Sequence, residues 1–333
     1  MTVDLARRVA ATVGAADVGR RLDLWLAARL PDLSRTRIKA LVDGGHVSVN
    51  GEASKAAHRL KAGERVDAVV PPPAPEEMAA EAIPLAIVYE DAHVLVVDKP
   101  AGMVTHPGAG QSTGTLAAAA LAHAPKIAGV GGPRRPGIVH RLDKGTSGLI
   151  VLAKSRRAYD ALTAQLQERT MSRRYLCLAH GVIAPHDGMI DKPIARDPRS
   201  RVRMAVARAG TGKRAVTRFR VLERFDGYTY IECRLETGRT HQIRVHLASL
   251  GHPLVGDLTY GAKRARQHDT LPADLVGGLG GVALHAAGLS FVHPATGETV
   301  ELSCPLPDRI VRLLSHLRDA RPRPVPRQVE RGR

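Results

Sequence analysis

The chain of 333 residues is 44% hydrophobic but only 3% aromatic, and its 49 Lys and Arg outnumber 32 Asp and Glu, for a formal charge of +17. Only ten of those cations are lysines, so arginine, whose planar fork matches phosphate oxygens, carries the excess and points to a polyanionic partner. No apolar run reaches the length of a membrane span, no signal-type segment opens the chain, and three widely spaced cysteines (Cys177, Cys233, Cys304) argue against a disulfide framework or a CxxC zinc site, so a cytoplasmic protein is expected.

Residues 1–16 carry no pattern and are expected to be a flexible terminus. Leu22, Trp25, Leu26 and Leu30 then recur at helical spacing until Pro31 stops the run. Ser34 suits the N-cap of a second helix with Ile38, Leu41 and Val42 on one face and Arg35, Arg37 and Lys39 on another. "HVSVNG" alternates like a strand and ends on Asn50-Gly51, a hairpin signal, and "GERVDAVV" predicts a further strand. Residues 17–72 thus form a small α+β module, and "SRTRIKALVDGGHVSVNG" resembles the S4 RNA-binding domain. A proline- and glutamate-rich linker is expected over 73–85.

From residue 86 to 318 the pattern predicts a second, larger domain. Strands are expected at 87–89, 94–97, 149–153, 174–182, 216–222, 228–236 and 288–292, and helices near 113–123, 156–169, 241–250 and 306–318. The mixture implies an α+β fold with a large mixed or antiparallel sheet. "ARDPRSRVRMAVARAGTGKRAV", with seven cations and one Asp, reads as a basic hairpin that could clamp RNA, Arg201 and Arg203 among its cations. Residues 262–281 follow no pattern, and 319–333 are expected to be a disordered basic tail.

Several cofactor motifs fail. "GAGQSTGT" has its third glycine at the wrong offset for a dinucleotide loop, and "GTGKR" lacks both the leading glycine and the Ser or Thr of a P-loop. His241 and His246 are five apart, whereas a helical zinc pair needs four, and no G-x-S-x-G elbow occurs. What remains is "HRLDKGTSGLIVLAKS", in which Asp143 sits on a turn between Arg141 and Lys144, just before a strand that reads as core. Nearby cations favour an ionised carboxylate, and such a carboxylate can act as a nucleophile; a structural ion pair on a turn fits the local residues equally well. In "LETGRTHQIRVH", Arg239, Thr240, His241, Gln242 and Arg244 crowd a helix start, which makes an anion site or a capped amphipathic helix.

"HRLDKGTSGLIVLAKS", "RRYLCLAHG", "LETGRTHQIRVHLASLGHPLVGD" and "LHAAGLSFVHPATGE", in that order, are similar to the RluA-type family of RNA pseudouridine synthases over residues 85–318. The resemblance implies a pseudouridine synthase fold behind the S4-like module. It implies isomerisation of uridine to pseudouridine with no metal and no other cofactor, on 23S rRNA of the large ribosomal subunit or its precursor. By the same resemblance Asp143 is the catalytic aspartate, Tyr175 the active-site tyrosine that could stack on uracil, and Arg239 the active-site basic residue, expected to pair with Asp143. Arg141, Lys144, His241, Gln242, Arg244, Arg35, Arg37, Lys39, Arg201 and Arg203 are the expected RNA-binding residues, and a monomer is expected. The same chemistry on another rRNA site or a tRNA, or a non-catalytic S4-type assembly factor, stay open as alternatives.

Overall fold

The computed structural model describes residues 7–71, 78–108, 111–200, 203–208, 210–261 and 270–320, and it divides into two units, 1–76 and 77–333. In the first unit, strands β1 (Arg7–Thr12), β2 (Val47–Val49), β3 (Glu52–Ala53) and β4 (Arg65–Val70) make an antiparallel sheet ordered β1-β4-β2-β3. Two helices, α1 (Leu22–Arg29) and α2 (Arg35–Asp43), pack on one another and bury Leu22, Trp25, Leu26, Ile38, Leu41 and Val42 with Val47 and Val66. Each large apolar side chain removed from water contributes roughly 1.5–3 kcal/mol, before the entropy of ordering the chain is counted.

Local signals behave as their chemistry requires. Ser34 accepts the Arg37 N–H at 3.2 Å and caps α2. Asn50 and Gly51 both take positive φ (+53° and +86°) in the β2–β3 hairpin, the conformation that Asn-Gly favours. One expectation fails. Residues 7–12 are not a loose terminus but β1, with all six residues paired to β4. Arg7, Arg8 and alternating half-exposed Val9 and Ala11 give an edge strand too polar to stand out in sequence.

The second unit carries a nine-stranded mixed sheet. Its members are β5 (Ile87–Glu90), β6 (Val94–Lys99), β7 (Ser147–Ala153), β8 (Ser172–His180), β9 (Asp187–Asp191), β12 (Val216–Phe225), β13 (Tyr228–Leu235), β14 (Leu284–Val292) and β15 (Thr299–Ser303). The order is β5-β6-β7-β14-β8-β13-β12-β9, with β15 added on β14. Only β7 and β14 run parallel, and there the chains pass so closely that a Cβ at Gly148 would overlap the backbone of Ala286. β10 (Ile194–Arg196) and β11 (Met204–Val206) form the separate basic hairpin, of which Arg201 lies outside the described residues.

Helices α3 (Leu116–His123), α4 (Arg156–Glu168), α5 (Gln242–Ser249), α6 (Ala273–Gly277) and α7 (Asp308–Asp319) complete the unit. The alanine run of α3 has a packing reason. Leu116 through Ala120 are all buried, so no face can carry a larger polar residue. The short α6 falls in 262–281, where no element was expected; 262–269 and the expected tail over 321–333 lie outside the described residues. No helix among the described residues is long and apolar enough to cross a membrane.

Candidate active site

Asp143 stands on a turn just before β7, closed by the Thr146 N–H donating to the Asp143 carbonyl at 3.0 Å. Thr105 clamps the preceding residue: its Oγ1 donates to the Leu142 carbonyl at 2.7 Å and accepts the Leu142 N–H at 3.2 Å. Gly102 N–H donates to the Lys144 carbonyl and Val282 N–H to the Gly145 carbonyl. The loop carrying Gly102 is itself tied by Lys99, whose fully buried ammonium donates to the carbonyls of Pro100 and Met103 at 2.8 Å. Burial pushes the Lys99 pKa down to about 7, with the Asp143 charge opposing it. The aspartate is therefore held by backbone bonds on several sides, which is the support a reacting group needs.

The side chain opens into a cavity of about 580 Å³. Asp143 Oδ2 accepts from Arg244 Nη1 at 3.1 Å, and its Oδ1 makes no hydrogen bond with any described residue. Arg244 uses its other edge on Asp257, with Nε to Oδ2 at 2.7 Å and Nη2 to Oδ1 at 3.0 Å. Asp257 also accepts the Thr259 and Tyr260 N–H groups. Burial alone would lower the Arg244 pKa, but its hydrogen bonds and charge contacts with Asp257, then Asp143, outweigh that and raise it. The guanidinium also lies 5.1 Å from the Tyr260 ring.

This geometry corrects the expected pairing. Arg239 does not meet Asp143: it is exposed, and its Nε donates to the Arg214 carbonyl at 3.1 Å, although it does line the cavity. The reason is helical phase. Arg239 precedes α5 in the turn, whereas Arg244 projects from the first turn of the helix toward the aspartate. Gln242 is also corrected. It is buried, its Oε1 accepts from Thr237 Oγ1 and the Arg239 N–H, and its Nε2 donates to Val216 and Thr217, so it builds the loop and has nothing left for RNA. His241 takes a left-handed conformation (φ +58°), places Nδ1 2.8 Å from the Tyr260 hydroxyl and Nε2 3.9 Å from Asp143 Oδ2. Burial lowers its pKa, with Asp143 pulling the other way.

Tyr175, on β8, lines the same cavity, and burial raises its phenol pKa. Arg141 is exposed at the rim, while Lys144 is exposed and outside the lining. Arg203 lies 5.4 Å from the Tyr260 ring, on the hairpin side. In the first unit, Arg35 and Arg37 are exposed on α2 and Lys39 pairs with Asp43 at 2.7 Å. Sequence reasoning passed over Asp257, Tyr260, His140 and Arg173. Asp257 closes the quoted "LETGRTHQIRVHLASLGHPLVGD" and Tyr260 follows three residues later, and no local signal marked them as partners of Arg244. One group with metal-ligand atoms within 4.8 Å exists among the described residues, Asp98, His285 and Cys304, but it does not line the cavity and Ser147 and Cys304 occupy both ring nitrogens of His285.

With this geometry in hand, the chain can be set against known proteins. The RNA pseudouridylate synthase family pattern matches residues 93–249 and the S4 domain pattern residues 20–66. A Bacillus subtilis protein named an uncharacterized RNA pseudouridine synthase is 47% identical over 298 residues, covering 90% of this chain and 94% of its own. The chain belongs to the RNA pseudouridine synthase family. A ribosomal large subunit pseudouridine synthase D of Neisseria meningitidis is 49% identical over 314 residues, 93% of this chain and 82% of that one. Among solved structures, human RNA pseudouridylate synthase domain containing 1 matches with a TM-score of 0.53 and 28% identity, over 74% of this chain and 99% of its own. The fold expected from sequence, an S4 module before a mixed-sheet synthase domain, is thus borne out, and this pseudouridine synthase is an isomerase.

Proposed function

We propose that this pseudouridine synthase acts on uridines of 23S rRNA, in the large ribosomal subunit or its precursor, with the Asp143 carboxylate as the group that works on the extracted nucleotide. The observation that carries the reading is the split use of that carboxylate: Oδ2 is fixed by Arg244, while Oδ1 is left unbonded by any described residue in the cavity. Fixing one oxygen orients the group before the substrate arrives, so little reorganisation remains for the reaction itself. The N1–C1′ bond breaks and a C5–C1′ bond forms; the C5 proton leaves and N1 gains one, so atoms balance without a cofactor. Tyr175 offers its ring to the uracil. Extracting a base costs a few kcal/mol, which contacts to the backbone must offset. The cavity's arginines and the exposed Arg35, Arg37 and Arg203 supply such contacts. The choice of 23S rRNA rests on the Neisseria meningitidis relative, whose name carries a large-subunit activity.

Carbodiimide-labelled primer extension across the rRNA of cells carrying the wild type, Asp143→Asn or no gene tests this. The expected result is a set of large-subunit stops present with the wild type and lost in the other two, with the purified variant at least about 10³-fold slower in vitro while RNA binding and folding persist. Stops retained by the variant would remove Asp143 from the chemistry. Stops lost only in another RNA would move the substrate.

A further inference from the structure

Buried polar atoms almost always find a partner, so those that do not call for a reason. Among the described residues five side-chain polar atoms are buried without one: His106 Nδ1, His140 Nδ1, Thr146 Oγ1, Thr163 Oγ1 and Arg173 Nε. All five residues line the cavity of Asp143. Unmade bonds gathered in one place mark a cavity shaped for a polar guest rather than for the free protein.

The guest's charge follows from the lining. It contains six arginines (135, 141, 169, 173, 239, 244) and two acids, Asp143 and Glu236. Arg244 is already matched by two carboxylates, and Glu236 accepts from Arg218 at 2.8 Å. The side chain of Arg173, a residue only 8% exposed, makes no hydrogen bond or ion pair with any described residue. A buried cation left alone is expensive, and burial indeed lowers its pKa. Room is made for it by Gly238, whose φ is not in the left-handed region: a Cβ there would come within 2.6 Å of Arg173 Nη1.

The same lining holds a neutral donor. His140 Nε2 lies 3.3 Å from the Val151 N–H and must accept from it, so the ring proton sits on Nδ1, the unpartnered atom. Burial, then the Arg173 charge, pushes the His140 pKa down to about 3, which keeps the ring neutral. A guanidinium and a neutral N–H in the lining of one cavity suit a phosphate group, and phosphate is the one anionic group RNA has.

We propose that Arg173 and His140 Nδ1–H together seat a backbone phosphate of the nucleotide drawn into the cavity. The seat rests on the synthase reading given above and adds to it a substrate-contacting pair other than Asp143 and Arg244. It holds the sugar-phosphate of the extracted uridine while Asp143 and Tyr175 work on the base and C1′.

The test uses the full chain with uridine 3′,5′-bisphosphate and uridine as probes, binding measured by calorimetry or ligand-detected NMR. Expected: the wild type binds the bisphosphate at millimolar concentration or tighter, Arg173→Gln loses about tenfold of that affinity, Arg173→Lys keeps most of it, His140→Gln loses a smaller part, and affinity for uridine is equal in all. Because the arginine is unpaired in the free protein, Arg173→Gln should melt at the same temperature or higher. Unchanged bisphosphate affinity in Arg173→Gln, equal loss for uridine, no bisphosphate binding by the wild type, or a collapse of folding in Arg173→Gln together with unchanged affinity in Arg173→Lys and His140→Gln would each overturn the seat. If the wild type isomerises no rRNA yet binds the bisphosphate through Arg173, the seat stands and the rRNA reading falls; the reverse pattern separates them the other way.

Discussion

Arg244 and Arg173 line the same cavity and are equally buried, at 8% exposure each, yet among the described residues one holds two carboxylates and the other holds none. Arg244 is part of the folded state: its desolvation is offset inside the protein, and it links α5 to the Asp143 turn and to Asp257. Arg173 leaves its desolvation uncompensated until something anionic arrives. The same side chain at the same depth is thus a structural member in one wall and an open valence in the other. The sharpest way to break the comparison is to remove the paired one. Arg244→Ala leaves Asp257, whose side chain is fully buried, without its cation, and is expected to cost about 3–5 kcal/mol in urea unfolding and to abolish activity. Adding Asp257→Asn should recover part of the stability without restoring activity, since Asp143 still lacks its orienting partner. A loss below about 1 kcal/mol for Arg244→Ala would mean the pairing is not what holds this wall.

Acidity offers a second lever, on the unpaired wall. His140 and His106 have pKa values pushed down to about 3 and about 4, in both cases first by burial and then by arginine charge. In the unfolded chain each titrates near 6.5, so between about 6.5 and the folded values the unfolded state binds more protons. Stability contributed by each neutral ring is complete above about pH 6.5 and declines as pH falls, by at most about 1.4 kcal/mol per pH unit per histidine. Between pH 7 and pH 5, unfolding free energies of His140→Gln should fall by about 1–2 kcal/mol less than those of the wild type. A wild-type slope in His140→Gln would mean that His140 is not held neutral by its surroundings.

How far these features could be read in advance divides along the same line. Elements with a one-dimensional signature were legible: the Leu22–Leu30 spacing, the Ser34 cap, the Asn50-Gly51 turn, and the apolar runs that became β6 and β7. β1 was not, because its signal is its pairing with β4, more than fifty residues away. In the site, Asp143 and Tyr175 were visible as motif residues and both do line the cavity. The partner of Asp143 was not, because proximity to a turn does not say which of two arginines, five residues apart, points inward. Arg173 stood next to Tyr175 in plain view, but its want of a partner is a three-dimensional fact that no spacing reports.

Arg239 gives the smallest expected effect and the finest test of the comparison. It lies in the cavity's lining but is exposed, and its side chain makes one hydrogen bond, to the Arg214 carbonyl. Its backbone N–H, not its guanidinium, secures the loop through Gln242 Oε1. Arg239→Gln keeps that backbone bond and removes a solvated charge and one exposed hydrogen bond, so unfolding free energy should change by no more than about 1 kcal/mol. Its contribution should instead appear in the salt dependence of RNA binding, as a loss of about 0.7–0.9 in the slope of log K against log salt, the signature of one phosphate contact. If Arg239→Gln destabilised the fold by several kcal/mol, as Arg244→Ala is expected to, the two arginines of the "GRTHQIR" segment would have exchanged roles and Asp143 would take its partner from the turn rather than from the helix.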